Sequence, residues 1–179
     1  MSVKSYLRRG LRFIVKGVPE VKTYPKVLTL APSELLKGRV ALITGGTSGI
    51  GFEIAKAFVE AGATVVITGR TMERIKKACT SIDEAVSNKG RIFGIEMDNK
   101  KVSSFQSKFQ EALNMVNGLK IDILVNNAGQ RGGYISNATE SEYDDIMDTN
   151  AKGTFFLTQL FAKYMIENEI KGNILKFRK

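Results

Sequence analysis

An α/β fold built on a doubly wound parallel sheet is what this sequence predicts, and three observations carry the prediction. Short apolar runs rich in β-branched residues alternate with longer segments whose apolar residues recur at helical spacing. That is the pattern of strands buried on both faces and joined by crossover helices. The first run, Val40 to Ile43, leads into a glycine-dense turn, Thr44-Gly45-Gly46-Thr47-Ser48-Gly49-Ile50-Gly51, and then into a helical pattern through Ile54, Ala55, Phe58 and Val59. Polar or glycine-rich residues follow each of the first four runs, where open parallel sheets bind their ligands.

Residues 1–35 stand apart as a basic, proline-containing extension, and residues 36–179 form the folded domain. All three prolines, Pro19, Pro25 and Pro32, lie in the extension. The net charge of +9 is located there too: residues 1–39 carry nine Lys or Arg against Glu20 and Glu34, whereas the remaining 140 are almost balanced, 18 basic against 16 acidic. Tyr6 to Lys16 places Leu7, Leu11, Ile14 and Val15 at helical spacing among basic residues. It could touch an anionic membrane surface weakly, or be a solvated arm or a short packed helix. With the excess charge confined to this leader and no interleaving of aromatic and basic residues in the body, nucleic-acid binding is not expected. No apolar run approaches the length of a membrane span. The single cysteine, Cys79, has no internal disulfide partner, which fits a reducing compartment such as the cytoplasm, and it reads as a packing residue.

The domain elements follow in order. Pro32 to Leu36 reads as a turn and a single helical turn, and Val40 to Ile43 is the first strand. Thr64 to Thr68 is the second strand, followed by a helix from about Met72 to Val86 that Gly90 would cap. Arg91 to Ile95 is the third strand. A helix starting at Ser103 or Ser104 runs through Phe105, Phe109, Leu113 and Val116 and closes near Gly118. Ile121 to Val125 is the fourth strand. Glu140 to about Glu169 is mainly helical, with Gly153 a bend or close-packing point, and Asn173 to about Phe177 is the fifth strand.

The chemistry sits at the strand ends. A strand, a tight glycine turn and a helix N-terminus together present free backbone N–H groups and the positive end of a helix dipole, which suits a phosphate. In this reading Gly45 opens the turn, Gly49 lets the backbone approach a pyrophosphate and Gly51 lets the helix pack close to its strand. A tight connection with no ligand would leave the same cluster. After the second strand comes Gly69-Arg70: where an acidic residue would accept from ribose hydroxyls, an arginine suits a 2′-phosphate by charge and bidentate geometry. After the third comes Met97-Asp98-Asn99, where Asp98 could accept from an adenine amino group or cap a turn. After the fourth comes Asn126-Asn127-Ala128-Gly129, whose amides could tie adjacent loops together while Ala128 and Gly129 let a cofactor pass close.

Thr44-Gly45-x-x-x-Gly49-Ile50-Gly51 and Asn126-Asn127-Ala128-Gly129, about 80 residues apart, resemble the short-chain dehydrogenase/reductase family. Asp98, Asn150 in Asp148-Thr-Asn-Ala-Lys-Gly153, and the Gly172-Asn-Ile-Leu run extend the resemblance from Leu36 to about Leu175. It implies a Rossmann-like sheet and hydride transfer between a nicotinamide dinucleotide and a small carbonyl or alcohol, usually in a homo-oligomer. Gly45, Thr47, Ser48, Gly49, Ile50 and Gly51 would then hold the pyrophosphate and adjoining ribose. Arg70 would select NADP over NAD, and Asp98 and Asn99 would face the adenine. Asn126, Ala128 and Gly129 would line the path to the nicotinamide ribose. Asn150 would belong to the catalytic tetrad, kinking a helix and holding a relay water. No metal is expected.

The resemblance also implies a proton-donating tyrosine with a lysine four residues on, and a serine that polarises the carbonyl. Tyr6, Tyr24, Tyr134, Tyr143 and Tyr164 are followed at that distance by Gly10, Leu28, Ala138, Met147 and Asn168, and no serine follows Ser141. The expectation is therefore a C-terminally truncated domain of about five strands. It would be either an NADP-dependent oxidoreductase represented by its cofactor-binding part or a catalytically silent nucleotide-binding or regulatory fragment. Its fifth strand would leave an exposed apolar edge.

Overall fold

The computed structural model describes residues 31–86 and 91–177. The amphipathic stretch 6–16, most of the basic extension and the Gly90 cap lie outside the described residues.

Five strands form one sheet: β1 (Val40–Ile43), β2 (Thr64–Gly69), β3 (Ile92–Glu96), β4 (Ile123–Asn126) and β5 (Asn173–Lys176). Their spatial order is β3-β2-β1-β4-β5 and every pairing is parallel, with Leu42 opposite both Val66 and Leu124, and Val125 opposite Leu175. The chain winds outward from β1 to β3, then returns to the other side of β1 with β4. The crevice above β1 and β4 is thus a topological switch point.

Crossovers are made by α1 (Gly49–Glu60), α2 (Met72–Ala85), α3 (Phe105–Met115) and a long segment that splits into α4 (Glu140–Met147), a π-helical turn (Asp148–Gly153) and α5 (Thr154–Glu167). Strand alternation decides the layers. Ala41, Ile43, Val65, Ile67, Ile123 and Val125 face α1 and α2, meeting Ala55, Val59, Ile75, Ala78 and Ile82. Val40, Leu42, Val66 and Leu124 face α3 and α5, meeting Phe105, Phe109, Ala112, Leu157 and Phe161. Helices therefore cover both faces, the doubly wound arrangement the sequence predicts.

Boundaries shift by a residue or two. The third strand starts at Ile92 and the fourth at Ile123, and both extend one residue beyond the predicted C-terminal end. The fourth is delayed because Asp122 turns aside: its Oδ1 accepts from the Val40 backbone N–H at 2.9 Å, and its other carboxylate oxygen meets Arg39. The predicted Glu140–Glu169 helix is one path with a π-turn ending at Gly153, the residue read as a bend. Thr139 and Glu142 open it with a reciprocal capping box. Pro32–Glu34 is a 3₁₀ turn, and the Leu36 N–H reaches the Ala61 carbonyl at 2.8 Å, seating this end of the extension on the α1–β2 turn. Among the described residues no helix is long and apolar enough to cross a membrane.

Candidate cofactor site

The loops at the C-terminal ends of β1 to β4 enclose a cavity of about 450 Å³. Of the residues singled out in the sequence, Gly45, Thr47, Ser48, Arg70, Asp98, Asn99, Ala128 and Gly129 line it. Gly49, Ile50, Gly51, Asn126 and Asn150 lie outside that lining.

Gly49 begins α1 with φ +57°, a left-handed conformation that favours glycine, and a Cβ there would point into open space. Ser48, the residue before it, makes no side-chain cap, so the first-turn N–H groups of this twelve-residue helix remain available to an anion. Ile50 is exposed on the same turn. Gly51 is needed for a close approach that goes beyond the helix–strand contact expected of it: a Cβ would stand 2.2 Å from Asn127 Nδ2 and 2.5 Å from the Gly45 carbonyl oxygen. That space is used. Asn127 Nδ2 donates to the carbonyls of Thr44 and Gly45 at 3.0 Å each, while Thr44 Oγ1 accepts from the N–H groups of Asn127 and Ala128, again at 3.0 Å. Four buried or half-buried hydrogen bonds thus weld the glycine turn to the loop after β4.

Asn126 turns away from this weld. Its Nδ2 donates to Thr158 Oγ1 in α5 at 3.0 Å. Asn150, in the π-turn, pairs both ends of its amide with the backbone of Gln130: Oδ1 accepts from the Gln130 N–H at 2.8 Å and Nδ2 donates to its carbonyl at 2.9 Å. Gln130 lines the cavity, so Asn150 acts on the site through that loop.

The far end of the cavity is basic. Arg70 follows β2, and Arg74, in α2's first turn, lines the same wall with Thr71. Neither arginine enters an ion pair among the described residues. Arg74 is a lining residue that sequence reading passed over; its place in the first helical turn after the second strand was the available signal. Lys100 is another, and its charge is spoken for: Nζ lies 2.7 Å from Asp145 Oδ1, and that hydrogen bond holds the ammonium above its usual pKa range. Asp98 Oδ1 accepts from the Lys100 N–H at 3.0 Å, which orients the carboxylate at the mouth. Met97, Thr68, Gly69 and Thr149 complete the wall.

A dinucleotide fits this donor set. The glycine turn and α1 offer backbone N–H groups to a pyrophosphate, and the unpaired arginines offer charge to a further phosphate. Asn99, Asn126 and Asn127 each keep a buried polar side-chain atom with no hydrogen-bond partner among the described residues, and of the three only Asn99 borders the cavity. Cys79 plays no part: burial, reinforced by Asp83, pushes its thiol up to about 11. Nor does a tyrosine among the described residues. Tyr134 and Tyr143 are exposed, and the Tyr164 ring is stacked edge-on against Phe109 with centroids 5.0 Å apart, its hydroxyl pKa raised by burial.

A parallel sheet with its switch point under a glycine turn, opposite a basic strand end, defines a dinucleotide-binding α/β domain. More narrowly, the chain belongs to the short-chain dehydrogenase family, whose model matches residues 39–177. The chain is 38% identical over 135 residues to a 3-oxoacyl-acyl-carrier-protein reductase of Aquifex aeolicus, covering 74% of this chain and 52% of that protein. Over 142 residues it is 36% identical to a gluconate 5-dehydrogenase of Gluconobacter oxydans, 73% of this chain and 50% of the relative. Among solved structures, a short chain dehydrogenase from Bacillus anthracis superposes with a TM-score of 0.71 at 34% identity, over 79% of this chain and 56% of that one. A short chain dehydrogenase from Burkholderia cenocepacia, solved in complex with NADP, superposes with a TM-score of 0.66 at 28% identity, over 79% and 56%. The chain spans about half the length of the curated relatives it matches.

Proposed function

We propose that this chain is the cofactor-binding part of an NADP-dependent oxidoreductase that reduces a carbonyl or oxidises an alcohol. The observation that carries the reading is Arg70 at the end of β2, with Arg74 on the same wall and neither in an ion pair among the described residues, at the position where a carboxylate would suit an unphosphorylated ribose. The NADP complex of the Burkholderia relative is consistent with it. Gly45, Thr47 and Ser48 with the α1 N-terminus would hold the pyrophosphate, Asp98 and Asn99 would meet the adenine, and Ala128 and Gly129 would flank the nicotinamide ribose. The bound cofactor supplies or accepts a hydride; the chain's residues bind and orient it.

A second reading is favoured by what the chain's tyrosines do. None has a lysine four positions on, and none of the described ones lines the cavity. Taken alone, the 179-residue polypeptide is proposed to bind nucleotide without turning over a carbonyl substrate, for want of a positioned proton donor. We place it in the cytoplasm, as a lone cysteine suits a reducing compartment; a homo-oligomer would follow the family's habit, and a weak membrane contact of residues 6–16 rests on their basic, amphipathic spacing alone.

Titration of NADPH against NADH tests the first reading. NADPH is expected to bind more tightly, and Arg70→Ala should cost it about tenfold or more while leaving NADH within a few fold. Equal affinity for the two cofactors overturns the NADP assignment. Measurable NADPH-dependent reduction by the purified chain overturns the second reading.

A further inference from the structure

The π-helical turn Asp148–Gly153 touches two walls of the cavity at once. On one side, the Asn150 amide closes its double hydrogen bond on Gln130. On the other, Gly153 lies directly on the loop that follows β3: a Cβ at this position would stand 2.0 Å from the Asn99 carbonyl oxygen and 2.9 Å from its carbonyl carbon. No side chain is compatible with that approach unless the loop moves. The same loop is fastened a second time by the Lys100–Asp145 pair, and Asp145 is joined to the π-turn through its carbonyl, which accepts from Thr149 Oγ1 at 2.9 Å. Asp98 and Asn99 are thereby tied to the turn that also holds Gln130. Single π-turns inside α-helices occur frequently at functional sites, and this one has a mechanical reason to exist.

We propose that Gly153 and the Lys100–Asp145 pair are positioning residues that lock the Asp98–Lys100 loop to the Ala128–Gln130 loop through the π-turn. Occupation of the adenosine end of the site is then transmitted to the nicotinamide end. The inference rests on the dinucleotide reading above and goes beyond it by assigning roles to residues that the reading itself does not use. Its physical basis is close packing. A glycine Cα already against a carbonyl cannot be compressed, so a displacement of Asn99 carries Gly153, and Asn150 carries Gln130 with it.

The test uses the full chain and two probes, NADPH and adenosine 2′,5′-bisphosphate, which reaches only the adenosine end. In the wild type, the bisphosphate is expected to slow hydrogen exchange of the Gln130 amide, a group it cannot touch. Asp145→Asn and Gly153→Ala should abolish that distant protection and weaken NADPH binding about five- to tenfold, with a smaller loss for the bisphosphate. A merely structural role would lower thermal stability without separating the two probes. If Gly153→Ala does not fold, Asp145→Asn, a change at a half-exposed carboxylate, decides the matter. Wild-type chain that binds NADPH but shows no bisphosphate-dependent protection at Gln130, or full protection in the folded variants, overturns the coupling alone. Failure of the wild type to bind either probe overturns the cofactor reading and the coupling with it.

Discussion

β4 and β5 lie side by side with the same parallel ladder between them, yet they are held by different physics. β4 is buried along its whole length, with Ile123 and Val125 against one helical layer and Leu124 against the other. β5 is exposed at every residue and paired on one side only. Its lower end is held by polar contacts: Arg39 bridges Asp122, and its guanidinium donates to Asn173 Oδ1 at 3.1 Å. Nearby Phe155, Ile166, Leu175 and Phe177 are also exposed. An identical hydrogen-bond pattern can therefore accompany quite different stability, because burial of apolar surface, not the ladder, supplies most of the net free energy. The cofactor crevice belongs to the buried half, at the ends of β1 to β4.

The largest expected effect is a pair of truncations across that boundary. Leu124→Ala should cost about 3 kcal/mol in urea unfolding, the loss of a well-packed leucine plus its residual cavity, whereas Leu175→Ala should cost under about 1 kcal/mol. Similar losses at both positions would break the contrast. Next, Arg39→Ala should loosen β5 without disturbing the centre. The Asn173 amide, bonded to the Asp122 carbonyl at 2.9 Å, is expected to exchange about tenfold faster, with little change in β1 or β2. Uniform acceleration across the sheet would mean that β5 is integral to the core.

The smallest effect concerns the covered side of α2. With its pKa pushed up to about 11 by burial and by Asp83, Cys79 should carry about a hundredfold less thiolate than a free cysteine at pH 8 and alkylate correspondingly slowly. The sign of the linked stability follows. The native state keeps this proton after the unfolded chain has lost it, so the contribution is complete below about pH 9 and is lost between there and about pH 11. A Cys79→Ala variant should show a flatter pH dependence over that interval.

Sequence reading reached the cavity through residues whose function is local. Gly45, Ser48, Arg70, Asp98 and Gly129 announce themselves because a turn, a helix start or a strand end needs no distant partner to be recognised, and all line the site. Asn126 and Asn127 were legible as a pair but not in their division of labour. One amide reaches α5 and the other the glycine turn, a choice made by elements distant in sequence. The contact requiring Gly51 was only half legible for the same reason: besides the Gly45 carbonyl just after its own strand, its neighbour is an amide beyond the next two crossovers. Arg74 and Lys100 join the cavity because α2's first turn and the β3 loop converge there.

By itself, then, the sequence determined the α/β alternation, the buried strands and the phosphate-accommodating turn, since these follow from periodicity, β-branching and glycine within a few residues of chain. The exposed edge at β5 was legible too; only the tertiary structure decided that α4 and α5 would be joined by a π-turn, and that Gly153 would rest on the carbonyl of Asn99. Those outcomes depend on which surfaces meet across more than fifty residues, and no local pattern encodes the distance between them.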